Sequence, residues 1–200
     1  MFPRSKLEVT PGFVLLTAWF ALMNGGGVLM LVLGASTVHE LGHWLVLRLL
    51  GARIQAFRLT ALGAELTANS GRLSYGGELL AVLAGPGANL AAALFTSLTV
   101  PDRWPEFIGV NLILACFNLL PIRPLDGGRA VKLAATWLAG PGAGDVAARV
   151  VSGLTSSILA VLLACVIYQT HGSLWLLPPL FAAAGMALSE LHPRKMVYSF

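Results

Sequence analysis

Apolar residues gather in six runs along this chain, at 11–24, 27–50, 78–100, 107–120, 147–168 and 173–190. About 20 apolar residues are enough to cross a bilayer as a helix. The pattern therefore predicts an all-α polytopic membrane protein with about six transmembrane helices. The fourth run is short, and an irregular polar stretch follows it. Residues 51–77 are mixed. Arg53–Thr60 and Ala64–Thr67 partly alternate, with turn signals at Gly63 and at Asn69-Ser70-Gly71, so one or two short β hairpins are expected at the membrane surface. Ala139–Asp145 reads as a flexible link. The division expected is an N-terminal transmembrane segment at 1–26, a membrane core at 27–139 and a two-helix C-terminal region at 140–200.

Composition agrees with that pattern. The 200 residues are 56% hydrophobic and 11% charged, against about 25% charged in a soluble domain. Cys116 and Cys165 lie in apolar runs and are expected to be small core residues rather than a disulfide or metal ligands. Arg4 and Lys6 precede the first run in the manner of a signal peptide, but no A-x-A site follows, and a retained transmembrane segment is expected. The net charge of +4 matters less than its placement. With the N-terminus in the cytoplasm, every basic residue except Arg103 falls on the cytoplasmic side, as the positive-inside rule requires. Both termini are then cytoplasmic. No nucleic-acid partner is expected.

One polar group interrupts the second run. His39, Glu40 and His43 sit within five residues of apolar helix, where an acid alone costs about 2.5 kcal/mol or more to insert. On a helix, His39 and His43 stand one turn apart on one face. That spacing suits one zinc ion, with Glu40 placed to take a proton from the attacking water. In the orientation above, His39 lies about 13 Å inside the cytoplasmic end of its helix, at 1.5 Å per residue.

Two other runs carry polar residues. In the third, Gly85-Pro86-Gly87 is expected to break or kink the helix. Ala84, Ala88, Ala91 and Ala92 permit close helix approach, and the Asn89 amide needs a partner. The fourth run ends in Asn118-Leu119-Leu120-Pro121-Ile122-Arg123-Pro124-Leu125-Asp126-Gly127-Gly128-Arg129. Pro121 and Pro124 stop regular helix, so Asp126 is presented from an irregular turn. A catalytic zinc takes three protein ligands and keeps one position open. Asp126 is the choice for the third. Glu8, Glu65, Glu78, Asp102, Glu106, Asp145 and Glu190 compete, but none has the same proline–glycine frame. The last two runs read as scaffold or gate. His171 and His192 read as surface residues.

The three motifs, His39–His43, Gly85–Asn89 and Asn118–Gly128 in that order, resemble the site-2 protease family of intramembrane zinc metalloproteases. The resemblance covers about residues 28–132. It implies a three-helix zinc metalloprotease core in runs two to four, one zinc per chain on His39, His43 and Asp126, and Glu40 as the catalytic base. It also implies that Asn118 and Asn89 help hold substrate or support the transition state. The wording Pro124–Arg129 looks most like the stage IV sporulation protease branch, whose members cleave a membrane-tethered sigma-factor precursor on the cytoplasmic side of the bacterial membrane. The expected activity is hydrolysis of peptide bonds in membrane-anchored proteins near the cytoplasmic face. The expected partners are that substrate, the lipid bilayer and regulatory membrane proteins. PDZ or CBS domains, found in many family members, do not fit here. The alternative is a non-catalytic zinc-binding membrane protein, either a pseudoprotease or a transporter module. Intact Glu40 argues against the first, and the lack of paired broken helices in repeated halves against the second.

Overall fold

Helix α1 (Pro11–Leu49) begins where Thr10 caps it, its side-chain oxygen accepting a hydrogen bond from the Phe13 amide at 3.4 Å, with Pro11 at a position where its missing N–H costs nothing. Gly25, at φ 82° and ψ 160°, interrupts the helical path. The first two apolar runs are thus two helical stretches in one element, divided where Asn24-Gly25-Gly26-Gly27 removes side-chain constraint. At the other end, Gly51 takes φ 78° and the amides of Gly51 and Ala52 return to Arg48 O and Leu47 O, closing the last turn.

The computed structural model describes residues 6–60, 63–69, 73–170 and 176–191. Both chain ends, Ser70 and Gly71 of the expected turn, His171 and His192 lie outside the described residues. Strands β1 (Lys6–Val9), β2 (Arg53–Thr60) and β3 (Gly63–Asn69) form one sheet in that order. β2 and β3 are antiparallel, from Thr60 opposite Gly63 to Arg53 opposite Asn69, with an irregularity between Ile54 and Ala56. β1 pairs parallel to β2. Lys6-Leu7-Glu8-Val9 alternates polar and apolar, but four residues are too short a run to stand out as a strand in the sequence.

Helix α2 (Tyr75–Thr99) starts on a Ser74 cap that accepts from the Gly77 amide at 3.2 Å, with Glu78 in the first turn at the positive end of the helix dipole. The break expected at Gly85-Pro86-Gly87 does not occur, and the helix runs through Pro86. Pro86 removes one intrahelical hydrogen bond, a loss that packed helices tolerate. Helix α3 (Pro105–Asn118) completes the first compact unit, residues 1–118, in which α1 lies against α2 and α3.

The second compact unit is residues 119–200. Its residues 119–125 are non-helical, as the two prolines dictate. Helix α4 (Asp126–Ala139) follows, then α5 (Pro141–Gln169) and α6 (Leu177–Leu191), with α5 against both neighbours. α4 was not among the six apolar runs.

Among the described residues, three helices are long and apolar enough to cross a membrane: α1, α2 and α5. Six spans were expected. Two runs merge in α1, while α3 and α6, at 14 and 15 residues, fall short of the roughly 20 that a span needs. The burial pattern is that of a membrane protein. Leu22, Leu98 and Leu138 are 83%, 76% and 85% exposed, while Asn89, Asn111, Ser152 and Ser156 are fully buried. Large apolar side chains face outward and the polar ones face inward, the arrangement a lipid solvent selects. Cys116 and Cys165 are both exposed, not core.

Candidate metal centre

The histidine site is built where α1 and α2 come close. Gly42 makes the approach possible. A β-carbon there would overlap Ala84 O and stand 2.7 Å from Ala88 Cβ. His39 and His43 are both buried on the same face of α1, with rings edge to face and centroids 4.7 Å apart. Their Nε2 atoms are 3.1 Å from each other.

The outer nitrogens decide what those inner atoms are. His43 Nδ1 lies 2.8 Å from Ala81 O, a backbone carbonyl that can only accept. His39 Nδ1 lies 2.7 Å from Asn89 Oδ1. The orientation of that amide is fixed from its other side, because Asn89 Nδ2 donates to Ala35 O at 2.9 Å and to Asn111 Oδ1 at 2.8 Å. Asn111 is fixed in turn, its Nδ2 donating to Phe107 O at 2.9 Å. Each imidazole therefore donates its Nδ1 proton to an oxygen, and each Nε2 presents a lone pair. Two acceptor nitrogens 3.1 Å apart are placed to share one cation. Outer hydrogen bonds that fix tautomer and ring direction in this way are the usual support of metal-binding histidines.

The space for an ion is kept by Gly85. A β-carbon there would overlap His43 Nε2 and stand 2.7 Å from His39 Nε2. Packing and helix breaking were the sequence-level reasons for this glycine, whereas in the structure it leaves room in front of the two Nε2 atoms. Asn111 was missed as well. It is an amide within an apolar run, so the argument that singled out Asn89 applies to it equally.

Asp126 belongs to the second unit and is the first residue of α4, where a carboxylate favours the helix dipole. It is 7% exposed. Residues 119–123 curl back onto this first turn. A β-carbon at Gly127 would overlap Leu119 O and Leu120 O, and one at Gly128 would stand 2.6 Å from Ile122 O. The two glycines after Asp126 are thus a steric requirement of the turn. Arg129 Nη1 stands 3.9 Å from Asp126 Oδ1, with the arginine largely exposed.

Glu40 is half-buried beside His39 on α1. Asn118, at the end of α3, is half-buried and its Nδ2 donates to Leu114 O at 3.0 Å. Asn89, expected near substrate, is fully buried and engaged with His39, Ala35 and Asn111. Two imidazoles and a carboxylate, His39 and His43 in the first unit and Asp126 in the second, are all buried and have the chemistry to hold a metal ion. Nitrogen and oxygen donors of this kind, three in number, suit a zinc ion that keeps one position open.

No family model matches the chain. Rip3 of Mycobacterium tuberculosis, described as a candidate zinc metalloprotease, is 34% identical over 149 residues, which is 66% of this chain and 37% of that protein. Zinc metalloprotease MJ0392 of Methanocaldococcus jannaschii is 30% identical over 134 residues, 60% of this chain and 39% of that protein. The chain thus matches less than two-fifths of the length of these curated relatives. The solved site-2 protease from Methanocaldococcus jannaschii superposes with a TM-score of 0.65 at 19% identity, covering 92% of this chain and 88% of that one.

The fold is that of a site-2 protease.

Proposed function

We propose that this chain is the catalytic core of an intramembrane zinc metalloprotease of the site-2 type, hydrolysing peptide bonds of membrane-tethered proteins near the cytoplasmic face. One observation carries the reading. His39 and His43 direct two Nε2 lone pairs at each other at 3.1 Å, with both Nδ1 protons committed to oxygens. The candidate zinc metalloproteases and the site-2 protease fold support it.

In this reading one zinc is held by His39, His43 and Asp126. When bound, it supplies Lewis acidity toward a carbonyl oxygen and makes water a nucleophile near neutral pH. Glu40 takes the proton from the attacking water and returns it to the leaving amine. Asn89 does not touch substrate but holds the His39 ring. Asn118 supports substrate from the end of α3. A substrate helix must first be drawn out, because its amide carbonyls are otherwise committed within the helix. Among the described residues β3 pairs with β2 on one side only, and its other edge suits an extended peptide. The membrane is the bacterial cytoplasmic membrane with both termini inside, and the substrate is a membrane-anchored protein such as a tethered sigma factor, under the control of further membrane proteins.

The test is cleavage of a membrane-tethered reporter in proteoliposomes by wild type and by Glu40→Gln, with zinc per chain measured on both. The expected result is about one zinc in each, with activity lower in Glu40→Gln by the roughly 10²–10⁴-fold that a general base contributes. Full activity in Glu40→Gln, or active wild type without zinc, would overturn the reading.

A further inference from the structure

Helices α5 and α6 carry a second buried polar cluster. Ser152 on α5 is fully buried, and the Glu190 side chain, one residue before the end of α6, is 8% exposed. Both grip Arg123, three residues before Asp126. The Arg123 backbone amide donates to Ser152 Oγ at 3.0 Å, and that hydroxyl donates to Glu190 Oε1 at 3.1 Å. Arg123 Nε donates to Glu190 Oε1 at 2.9 Å, and Arg123 Nη2 pairs with Glu190 Oε2. The guanidinium fork thus meets the carboxylate at both oxygens, the geometry that fixes direction as well as charge.

The cluster has a mechanical consequence for Asp126. The loop at 119–125 has few hydrogen bonds of its own: Ile122 N to Leu120 O and Leu125 N to Ile122 O, each 2.7 Å. Its backbone lies on the first turn of α4, where a β-carbon on Gly128 would stand 2.7 Å from Arg123 N. Arg123 N is therefore in contact with the turn that presents Asp126 and is also the atom that Ser152 holds. A carboxylate on an apolar helix is costly, and Glu190 is committed to this loop.

We infer that Glu190 and Ser152 are positioning residues for Asp126: through Arg123 they fix the loop that aims the carboxylate. This rests on Asp126 being a metal ligand. It gives α5 and α6 a part in the metal centre beyond scaffold or gate.

The test uses the full chain in detergent. Cobalt(II) affinity is measured by chelator competition, the cobalt absorption band is recorded, and helix content and melting are followed on the metal-free protein. Ser152→Ala and Glu190→Gln are expected to weaken cobalt binding about 10–100-fold, the range for outer support of ligands, and to shift the band while the metal-free melt stays near wild type. Glu190→Asp, which keeps the charge, is expected to recover part of the loss. Wild-type affinity and an unchanged band in both Ser152→Ala and Glu190→Gln would overturn the inference, as would weakening only in proportion to lost helix. Asp126→Ala separates the two layers. Wild-type cobalt affinity in that variant overturns the ligand assignment itself. Its loss of cobalt, beside unaffected Ser152→Ala and Glu190→Gln, overturns only the positioning role.

Discussion

The two buried polar networks are built from different chemistry. The histidine network in the first unit is electrically neutral in its supports. Asn111, Asn89 and the carbonyls of Ala81, Ala35 and Phe107 form a chain of amides in which every donor has a fixed acceptor. The network around the Asp126 loop is ionic, an Arg123–Glu190 pair bridged by Ser152. The difference follows from what each supports. A histidine ring needs its tautomer set, which a neutral oxygen does by accepting the Nδ1 proton. An irregular loop needs its backbone anchored, and a forked ion pair gives stronger, more directional anchorage than a single neutral hydrogen bond. Both networks also depend on glycines that give space rather than flexibility.

The largest effects should come from filling that space or removing a ligand. His43→Ala and Gly85→Ala are both expected to abolish stoichiometric zinc, measured by metal analysis of purified protein. Gly87→Ala is the control, since a β-carbon there meets nothing within 4 Å. Retained zinc in Gly85→Ala would break the claim that this glycine makes room for the ion. Next come Gly127→Ala and Gly128→Ala, whose new methyl groups meet backbone rather than a side chain that can rotate away. A stability loss of about 1–3 kcal/mol or more is expected, the range for overpacking, with weakened zinc binding. Unfolding and chelator titrations read the two separately.

Smaller effects test the amide chain. Asn89→Ala should lower zinc affinity by about 10–100-fold, and Asn111→Ala by less, because it removes a group one step further from the ring. The double variant should cost less than the sum, since both act on one chain of hydrogen bonds. Strict additivity in the titration would show that Asn111 acts elsewhere. The smallest effect belongs to the Lys132–Asp145 pair, 2.7 Å apart with both side chains about half exposed. Lys132→Ala should change stability by no more than about 1 kcal/mol in chemical denaturation and leave zinc binding unchanged.

The proposed ligands were legible in the sequence because cost and spacing act locally. Two histidines one turn apart in an apolar run announce themselves within five residues. Asp126 was legible because two prolines and two glycines frame it. The supports were not, for physical reasons. Ser152 and Glu190 lie 29 and 67 residues from Arg123, and nothing in their own neighbourhoods tells which loop they hold. Glu190 could only be counted among other acids at segment ends. Hydropathy located the apolar segments but not their merger in α1, and it gave no warning of the amphipathic α4. The helix continues through Pro86 because a helix packed on its neighbours can lose one hydrogen bond and go on.

The most direct test of the central claim is X-ray absorption at the zinc edge on the purified chain, with His39→Ala alongside. The account predicts one zinc per chain with nitrogen and oxygen neighbours at about 2.0–2.1 Å, two of them imidazoles, and none of the sulfur scattering at about 2.3 Å that a cysteine would give. His39→Ala should lose the metal or leave a single imidazole. Two imidazoles persisting in His39→Ala, or a sulfur shell in wild type, would contradict the site.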